Sequence, residues 1–577
     1  MAKKPDGRVV ILSIICIFLL LYSNYSMIND LSYGAYIKAP LAPSGPSIQD
    51  DNLLVEKVTD GLEIPTSMAF LGPNDLLVTE KETGKVIHII DGQIQDEPAL
   101  DVAVATSIER GLLGIATAKQ SDGKTFVFIS LTESGNDADG SDIESSVEPA
   151  GNRLYRYEYV DGQLTNPVML LDLTAIPPND RGEHNGGKIR IGPDNNVYYI
   201  VGEVGGHRTQ AQNIEDGPPP NGLGGVLRIT QDGQIVQGNA IFGNELPLNL
   251  YFAMGIRNSF GMDFDPVTGN LWDTENGPYT GDEINMVYPG FNSGWSLIQG
   301  LSRNDLLGSG ATSDDLLYFG QGSYAEPKLS WVTPIGITAL KFLNSDKLGT
   351  QYQNNMFVGD VNNGLLYRFV LNEARDDISF DNGYTGNTAL LADKEVNDPK
   401  ENQPFIFGQG FGGITDIEVG PDGFMYVLSY TGSLFRIVPS SASTTTTAGS
   451  SINSADDAAE ANTEEQPAVE QPESDNNQNA AQNDNSIPAV ILGLYGDKSY
   501  SPNPITIERG QTITWYNGDT ISHTVTSGLD NDASAGLIFD SEAIIPNQYF
   551  SIKFDDSGVY PYYCFYHPSM VGEVIVN

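Results

Sequence analysis

Apolar residues recur along most of the chain in short alternating runs that end at turns rich in Gly, Pro, Asn and Asp. Alternation with a period of two is typical of β-strands that bury one face, and the turn residues mark the hairpins between them. No long run with a helical period competes with this pattern, which therefore predicts an all-β chain. One unit, made of a strand, a tight turn and a second strand, recurs at 68–78, 114–129, 191–199, 262–272, 339–358 and 417–427.

Six copies of this unit, spaced by roughly fifty to eighty residues, predict a six-bladed β-propeller over residues 50–440. Residues 441–486 contain no aromatic residue and no Lys or Arg, which predicts a disordered linker. A random coil of this length has a root-mean-square reach of roughly 35 to 40 Å. Residues 487–577 are therefore expected to form a separate domain that is tethered to the propeller.

The first 30 residues carry an export pattern. Lys3, Lys4 and Arg8 precede an apolar run from Val9 to about Tyr22, which is the charged-then-hydrophobic layout of a signal segment. The run is short for a membrane span of about twenty residues, and no clear small-x-small cleavage site follows it. An uncleaved anchor is favoured over a removed signal, and both place the body outside the cytoplasm, either anchored to the membrane or secreted.

Charge and cysteine content limit the possible partners. Seventy-five acidic and thirty basic residues give a formal net charge of -45, and such a surface repels phosphate backbones and anionic lipid. Nucleic acid is therefore not expected as a partner. The chain has two cysteines, Cys16 in the apolar run and Cys564 near the C-terminus, so the exported body has no internal disulfide.

The C-terminal segment carries a metal-binding pattern. Cys564, His567 and Met570 follow the spacing Cys-x2-His-x2-Met, and His523 lies upstream in a strand-like run. Two imidazoles and one thiolate form a trigonal plane for copper, while a thioether on the axis helps to set the reduction potential. Zinc is one alternative, although it has little use for a thioether, and a free buried cysteine is the other. The pattern favours a type 1 copper site made by these four residues.

A known pattern is matched by the segments 500–502, 505–510, 515–523, 558–564 and 570–574. Through them, residues 488–577 resemble the plastocyanin and amicyanin family of cupredoxins over their whole length. The short ligand loop is closer to that of amicyanin. The resemblance implies an antiparallel β-sandwich whose copper moves one electron at a time.

His184 precedes two glycines at the entry to a strand, which places it at the mouth of the predicted propeller, where a base could meet a substrate. A lone histidine in a loop is usually structural or solvated, but the neighbouring motifs change this interpretation. These motifs lie at 109–116, 181–194, 254–261 and 274–285. Together they resemble the glucose/sorbosone dehydrogenase family, whose members are aldose dehydrogenases with a pyrroloquinoline quinone (PQQ) cofactor.

The resemblance implies a role for each matching residue. His184 matches the general base that takes the proton of the anomeric hydroxyl. Arg257 matches the group that stabilises charge on the quinone as it is reduced, and Asn258 follows it in the same cofactor-binding motif. The carbonyl oxygens of Gly277 and Pro278 match those that hold a calcium ion, which prefers oxygen ligands and polarises the quinone.

Three positions depart from the family pattern. Asn362 stands where the family has a lysine that pairs with the cofactor, and Gly413 and Thr415 stand where it has arginines. PQQ carries three carboxylates, which bind weakly in a partly desolvated site that lacks charged partners. The candidate replacements for the missing cations are Lys188, Arg190, Arg208 and Arg228.

The sequence therefore favours an extracytoplasmic oxidoreductase that oxidises an aldose or related alcohol with a quinone cofactor. Its electrons would pass through the copper domain to a redox protein or a membrane acceptor. One alternative is a non-catalytic propeller scaffold that is tethered to a blue-copper electron carrier, because a propeller fold does not determine function. The other is a protein that stores or senses copper.

Overall fold

The computed structural model describes two ranges of the chain, which fall into two compact units divided between residues 443 and 444. The predicted N-terminal segment 1–30 and the predicted linker 441–486 lie outside the described residues. None of the helices within these ranges is long and apolar enough to cross a membrane. The described residues are 41–440 without 43–44, 177–181, 206–210, 216, 279, 381–383, 385–390 and 392, and 487–577 without 492–498, 518–522, 529–537, 540, 542–543, 545–548, 555 and 565–566.

The first unit is built almost entirely of strands. Its first strands are β1 (Ser47–Ile48), β2 (Leu53–Thr59), β3 (Pro65–Gly72), β4 (Asp75–Glu80), β5 (Lys85–Ile90), β6 (Gln93–Ile94), β7 (Leu100–Asp101), β8 (Leu112–Lys119), β9 (Thr125–Glu133), β10 (Gly151–Val160), β11 (Gln163–Leu173), β12 (Ile189–Ile191), β13 (Val197–Val201), β14 (Gly225–Ile229) and β15 (Tyr251–Met254). They are followed by β16 (Gly261–Phe264), β17 (Leu271–Glu275), β18 (Asp282–Val287), β19 (Phe291–Asn292), β20 (Ser323–Tyr324), β21 (Leu329–Trp331), β22 (Ile337–Phe342), β23 (Met356–Asp360), β24 (Leu366–Phe369), β25 (Glu395–Val396), β26 (Ile406–Gln409), β27 (Ile414–Val419), β28 (Met425–Ser429) and β29 (Leu434–Pro439). The described helices are one short α-helix, Ser141–Glu144, and 3-10 turns at Leu248–Leu250, Ser302–Asn304, Ser313–Asp315 and Pro399–Phe405.

These strands form six sheets that confirm the predicted propeller. The strand orders are β3-β4-β5-β6 with β7 beside β5, β11-β10-β9-β8, β12-β13-β14-β15-β19-β20, β16-β17-β18-β21-β25, β1-β26-β24-β23-β22 and β2-β29-β28-β27. The strands β3, β8, β12, β16, β22 and β27 contact one another in that order, and β27 contacts β3 again. The sheets therefore close into a ring of six blades around these innermost strands.

The burial of the middle strands explains why the ring packs tightly. Every residue of β13, β17, β23 and β28 is buried, because each blade is covered on both faces by its neighbours. Strand β2 lies near the start of the first unit and pairs antiparallel with β29, the last strand of that unit. Leu53 lies opposite Pro439 in this pairing. This pairing completes the last blade with a strand from the other end of the unit and so closes the ring.

The second unit is a two-layer β-sandwich, as the sequence predicts. Its strands are β30 (Ile487–Ile491), β31 (Tyr500–Ser501), β32 (Ile505–Ile507), β33 (Thr512–Asn517), β34 (Thr526–Ser527), β35 (Tyr549–Lys553), β36 (Gly558–Cys564) and β37 (His567–Val576). The expectation of a purely antiparallel sandwich is wrong, because β30 pairs parallel with β33 and β32 pairs parallel with β37. One sheet has the order β31-β30-β33-β35 and the other β32-β37-β36-β34. The side chains of Ile513, Trp515 and Asn517 alternate inward along β33, and Trp515 Nε1 donates to the Tyr562 hydroxyl of the opposite sheet at 3.3 Å.

Candidate functional site

His184 lies in the loop that leads into β12, and only 2% of its surface is exposed. Its Nδ1 lies 2.8 Å from Oε1 and 2.9 Å from Oε2 of Glu203, which is also buried. A carboxylate that accepts a hydrogen bond from Nδ1 fixes the imidazole ring and leaves Nε2 as the basic nitrogen. This arrangement is compatible with the general base that the sequence predicts at His184, a role that would fall to Nε2.

Glu203 was not a candidate residue of the sequence, although the pairing register of the β12–β13 hairpin indicates its position. Strands β12 and β13 pair antiparallel with Ile189 opposite Tyr199, and this register continues to the amide of Val204, which donates to the His184 carbonyl at 3.2 Å. Residues just before β12 and just after β13 therefore lie at the same end of the blade. The carboxylate that follows β13 is thereby placed against the histidine that precedes β12.

The backbone at His184 is in the left-handed region, with φ at 61°, which costs an L residue roughly 1 to 3 kcal/mol. Its amide donates to Glu109 Oε2 at 2.7 Å, which helps to hold this conformation. Gly202 permits the close packing of the neighbouring loops, since a Cβ there would lie 2.3 Å from the His184 carbonyl oxygen and 2.8 Å from that of Arg257. Strain of this kind is typical of residues that are fixed for a function.

Glu109 connects loops of three successive blades. Besides the His184 amide, its carboxylate accepts from Asn258 Nδ2 at 3.1 and 3.0 Å and from the Asn185 amide at 3.4 Å. Glu109 lies in one of the motifs of the sequence, but the sequence offers no basis for assigning it a role, because the residues that it contacts are far away along the chain. The structure shows that one carboxylate sets the relative positions of the predicted base and of Asn258.

Arg257 is 8% exposed, and its Nη1 donates to the carbonyl oxygens of Asn276 at 2.9 Å and Gly277 at 3.1 Å. Its guanidinium lies 5.2 Å from the centre of the Trp295 ring, within the range of a cation–π contact. Arg257 Nε, Asn258 Oδ1 and Trp295 Nε1 are buried and have no hydrogen-bond partner among the described residues. Because buried polar atoms rarely stay unpaired, these atoms are available to hydrogen-bond a ligand beside Arg257.

Asp282 holds the loop that carries Gly277. Its Oδ1 accepts from the Gly277 amide at 2.9 Å, and its Oδ2 accepts from the amides of Ile335 and Gly336, each at 2.9 Å. Burial raises the pKa of Asp282 to about 6, and burial likewise raises the pKa of Glu275 to about 7. Through its hydrogen bonds to these three amides, Asp282 fixes the backbone of the loop that carries Gly277.

Calcium at Gly277 and Pro278 stays a prediction. The Gly277 carbonyl, which the resemblance assigned to calcium, accepts from Arg257 Nη1. In the described part of the chain, no three His, Cys, Asp or Glu side chains are grouped so as to hold a metal ion. The proposed calcium ligands are backbone oxygens, which such a grouping does not include.

The positions that depart from the family pattern present neutral groups. The Asn362 side chain lies against Gly336, where a Cβ would be 2.7 Å from Asn362 Nδ2. The Thr415 hydroxyl donates to the Leu428 carbonyl at 3.4 Å, and Gly413 has no side chain. The residues present therefore fit the reacting end of a quinone at His184 and Arg257, while its carboxylates would meet uncharged side chains.

Two candidate replacement cations are already paired across the centre of the ring. Lys188 Nζ lies 2.5 Å from Asp416 Oδ1, and Arg190 binds Glu418 and lies 3.3 Å from Asp263. A cofactor carboxylate would have to displace these buried partners. The other two candidates are Arg228, whose Nη2 lies 2.5 Å from Asp194 Oδ2, and Arg208, which lies outside the described residues.

The second unit brings together three of the four predicted copper ligands, His523, Cys564 and Met570. Cys564 ends β36 and lies opposite His567, the first residue of β37. Cys564 Sγ lies 3.8 Å from His523 Nδ1, and both residues are fully buried. Met570 is fully buried in the same apolar core as Cys564, while the side chain of His567 lies outside what the structure describes. A thiol, an imidazole and a thioether in one core are the donor types that copper selects, so these residues fit a type 1 site.

His523 forms a short antiparallel bridge with Ile544. The two residues exchange backbone hydrogen bonds of 3.2 and 2.8 Å. The Asn517 side chain donates to the Ile544 carbonyl at 2.7 Å. The backbone of His523 is therefore held by Ile544, which is itself held by Asn517.

Comparisons with known proteins agree with both halves of this description. Residues 62–436, well over half of the chain, match the family model described as glucose / sorbosone dehydrogenase. The chain belongs to the glucose / sorbosone dehydrogenase family. Residues 493–577 match the model described as copper binding proteins of the plastocyanin/azurin family, which confirms the second resemblance.

Relatives of this glucose / sorbosone dehydrogenase family member align with one half or the other. Quinoprotein glucose dehydrogenase B of Acinetobacter calcoaceticus is 27% identical over 48% of this chain and 59% of that protein. An aldose sugar dehydrogenase of Escherichia coli strain K12 is 25% identical over 67% of this chain and 92% of that protein. Amicyanin of Paracoccus versutus is 34% identical over 15% of this chain and 65% of that protein.

Solved structures support the fold of the propeller. The alignment with the apo-form of a soluble aldose sugar dehydrogenase from Escherichia coli covers 67% of this chain and 99% of that chain. The TM-score is 0.51 and the sequence identity is 24%. The two family matches show that this glucose / sorbosone dehydrogenase family member combines a sugar-dehydrogenase-like oxidoreductase propeller with a copper-binding cupredoxin domain. The roles of His184, Arg257 and Asn258 stay predictions that their geometry now supports.

Proposed function

We propose that the propeller oxidises an aldose or a related alcohol with a quinone cofactor, and that the copper domain carries the electrons away one at a time. The observation that carries this proposal is the buried pair of His184 and Glu203. It lies beside Arg257, whose carbonyl accepts from the Glu203 amide at 3.0 Å. The names of the relatives, which include quinoprotein and aldose sugar dehydrogenases, are consistent with it.

Each residue of the site has a distinct part in this reaction. His184 Nε2 takes the proton of the substrate hydroxyl, while Glu203 holds Nδ1 and stabilises the imidazolium that forms. Arg257 places a cation where negative charge develops on oxygen. PQQ, when bound, would supply the hydride acceptor. The substrate carbon then loses a hydride as its hydroxyl loses a proton, so a CH–OH group becomes a carbonyl.

The copper domain fits the second half of the proposal. Substrate oxidation releases two electrons, whereas a type 1 copper accepts one, so two transfers must follow each turnover. A redox protein or a membrane acceptor would receive them from copper. The N-terminal pattern of charged and apolar residues supports a place outside the cytoplasm for both domains, either membrane-anchored or secreted.

The proposal is tested by reconstitution of the purified chain. Calcium and PQQ are added, and the aldose-dependent reduction of an artificial dye is measured over a panel of sugars. We expect turnover with at least one aldose, and none without the quinone. Failure of PQQ to bind at saturating concentration would rule out the PQQ version of the proposal. That result would favour the alternative of a non-catalytic propeller. The uncharged residues Asn362, Gly413 and Thr415, which stand where the family has cations, are the reason for testing this alternative.

Restoring one missing cation should tighten cofactor binding. We expect Asn362→Lys to lower the Kd for PQQ by about 10- to 100-fold, the effect of one charge-assisted hydrogen bond in a partly desolvated site. Quenching of tryptophan fluorescence by PQQ measures the Kd. Asn363→Lys is the matched control, because it adds the same charge at the exposed neighbouring position. Equal effects of the two changes would assign the gain to general electrostatics.

Replacing the thioether should tune the copper without removing it. Met570 is fully buried, so Met570→Leu keeps the apolar volume and loses only the axial sulfur. We expect the copper protein to stay blue and its reduction potential to rise, because a lost sulfur donor destabilises Cu(II) more than Cu(I). Visible spectra and redox titration measure both effects. A colourless Met570→Leu protein would mean that the thioether is required for the site to form.

A further inference from the structure

Tyr500 reaches from one sheet of the copper domain to the segment that carries His523. Tyr500 is 1% exposed and lies on β31, in the sheet opposite the one that holds Cys564. Its hydroxyl donates to the Thr524 carbonyl at 2.6 Å. Its ring lies edge-on to Tyr562, with centroids 4.9 Å apart. A buried hydroxyl of this kind fixes the peptide that it binds, because both groups are shielded from water.

Thr524 in turn contacts the predicted copper ligand. Its backbone amide donates to Cys564 Sγ at 3.3 Å. Its hydroxyl lies 2.7 Å from that of Thr526, and both threonines are buried. Thr524 is therefore held at its carbonyl by Tyr500 and at its side chain by Thr526, while its amide is directed at the sulfur.

Hydrogen bonds to a metal-bound thiolate tune the metal. An N–H donor withdraws electron density from the sulfur, so the thiolate donates less to Cu(II), and the reduced form gains relative stability. The strength of this effect depends on the N–H to sulfur distance, and thus on how firmly Thr524 is held. Residues that fix Thr524 can therefore change the reduction potential without contacting the metal.

We propose that Tyr500 is a positioning residue of the copper site. It acts on the Cys564 sulfur through Thr524, whose amide it keeps on that sulfur, and through its own side-chain contact with Cys564. In this way it raises the reduction potential of the copper. The inference concerns the cupredoxin domain alone and does not depend on the proposed sugar oxidation. A core tyrosine that only fills space would contribute to stability and leave the potential unchanged.

Tyr500→Phe in the full chain loaded with copper tests the proposal, because it keeps the ring and removes only the hydroxyl. We expect the ratio of Cu(I) to Cu(II) affinity to fall about three- to tenfold, as for one weakened hydrogen bond to a charged group. Redox titration measures this as a lower potential. We also expect the thiolate-to-copper absorption band to shift, and calorimetry of the apo-protein reports the accompanying loss of stability.

Tyr562→Phe is the matched control. Tyr562 is equally buried and packs against Tyr500, but its hydroxyl accepts from Trp515 rather than binding Thr524. We expect it to lower stability and to leave the potential unchanged. If Tyr500→Phe fails to fold, Thr526→Val removes the other support of Thr524 and should lower the potential in the same direction. An unchanged potential in the folded variant, or equal shifts in Tyr500→Phe and Tyr562→Phe, would overturn the proposal.

Discussion

His184→Ala is expected to lower the turnover number of the reconstituted enzyme by about 10²- to 10⁴-fold, the usual contribution of a general base. The imidazole is buried, held at Nδ1 by Glu203, and fixed in a left-handed backbone conformation. No other described histidine of the propeller combines these features. Dye-linked assays with saturating sugar and PQQ measure the loss, while the copper absorption of the same sample should not change.

The propeller offers a matched control for this experiment in His88. Its Nε2 lies 2.7 Å from Asp75 Oδ1, and it is 6% exposed, so it resembles His184 in burial and in its carboxylate partner. His88 lies on β5, away from the loops of the site. We expect His88→Ala to reduce stability and to leave turnover unchanged. Equal losses in the two variants would show that His184 acts through folding rather than through chemistry.

Glu203→Gln tests whether the carboxylate of Glu203 is needed to keep His184 Nε2 basic. A glutamine amide can donate to Nδ1, which would place the ring proton on Nε2 and leave no base toward the substrate. We therefore expect a loss of turnover that approaches that of His184→Ala, with PQQ affinity retained. Full activity in Glu203→Gln would mean that Glu203 only packs against the ring.

The two halves of the chain differ in how much the sequence could predict. At the copper site, Cys564, His567 and Met570 lie within seven residues, so local spacing identified them, and only His523 had to come from another segment. In the propeller, Glu109 contacts His184 and Asn258 from 75 and 149 positions away. Contacts of this kind are set by the order of blades around the ring, which spacing along the chain does not contain.

The charged residues illustrate the same limit. The sequence offered Lys188 and Arg190 as substitutes for the missing cofactor cations, and the structure shows both paired with carboxylates of β27 or β16. Charges on facing innermost strands can be matched only once the closure of the ring is known. Six repeated units predicted that ring, but they did not predict that β2 would complete the last blade.

The second large effect is expected at the copper site, on replacement of the cysteine ligand. Cys564→Ser is expected to abolish the intense blue colour of the Cu(II) protein, because the absorption arises from the thiolate–copper bond and a serine hydroxyl does not replace it. The change removes one buried sulfur without altering the size of the side chain greatly. Cys16→Ser is the matched control, since Cys16 is the other cysteine of the chain, and its colour should be unchanged.

Cys564→Ser also separates the two halves of the proposed function. If the copper carries electrons out of the propeller, the variant should still reduce an artificial dye that takes electrons directly from the quinone. It should lose the sugar-dependent reduction of an acceptor that is served by copper alone. Stopped-flow bleaching of the blue band by sugar in the unmodified chain supplies the positive measurement. A wild-type chain that binds zinc tightly and stays colourless with copper would contradict the assignment of the metal, and the electron relay with it.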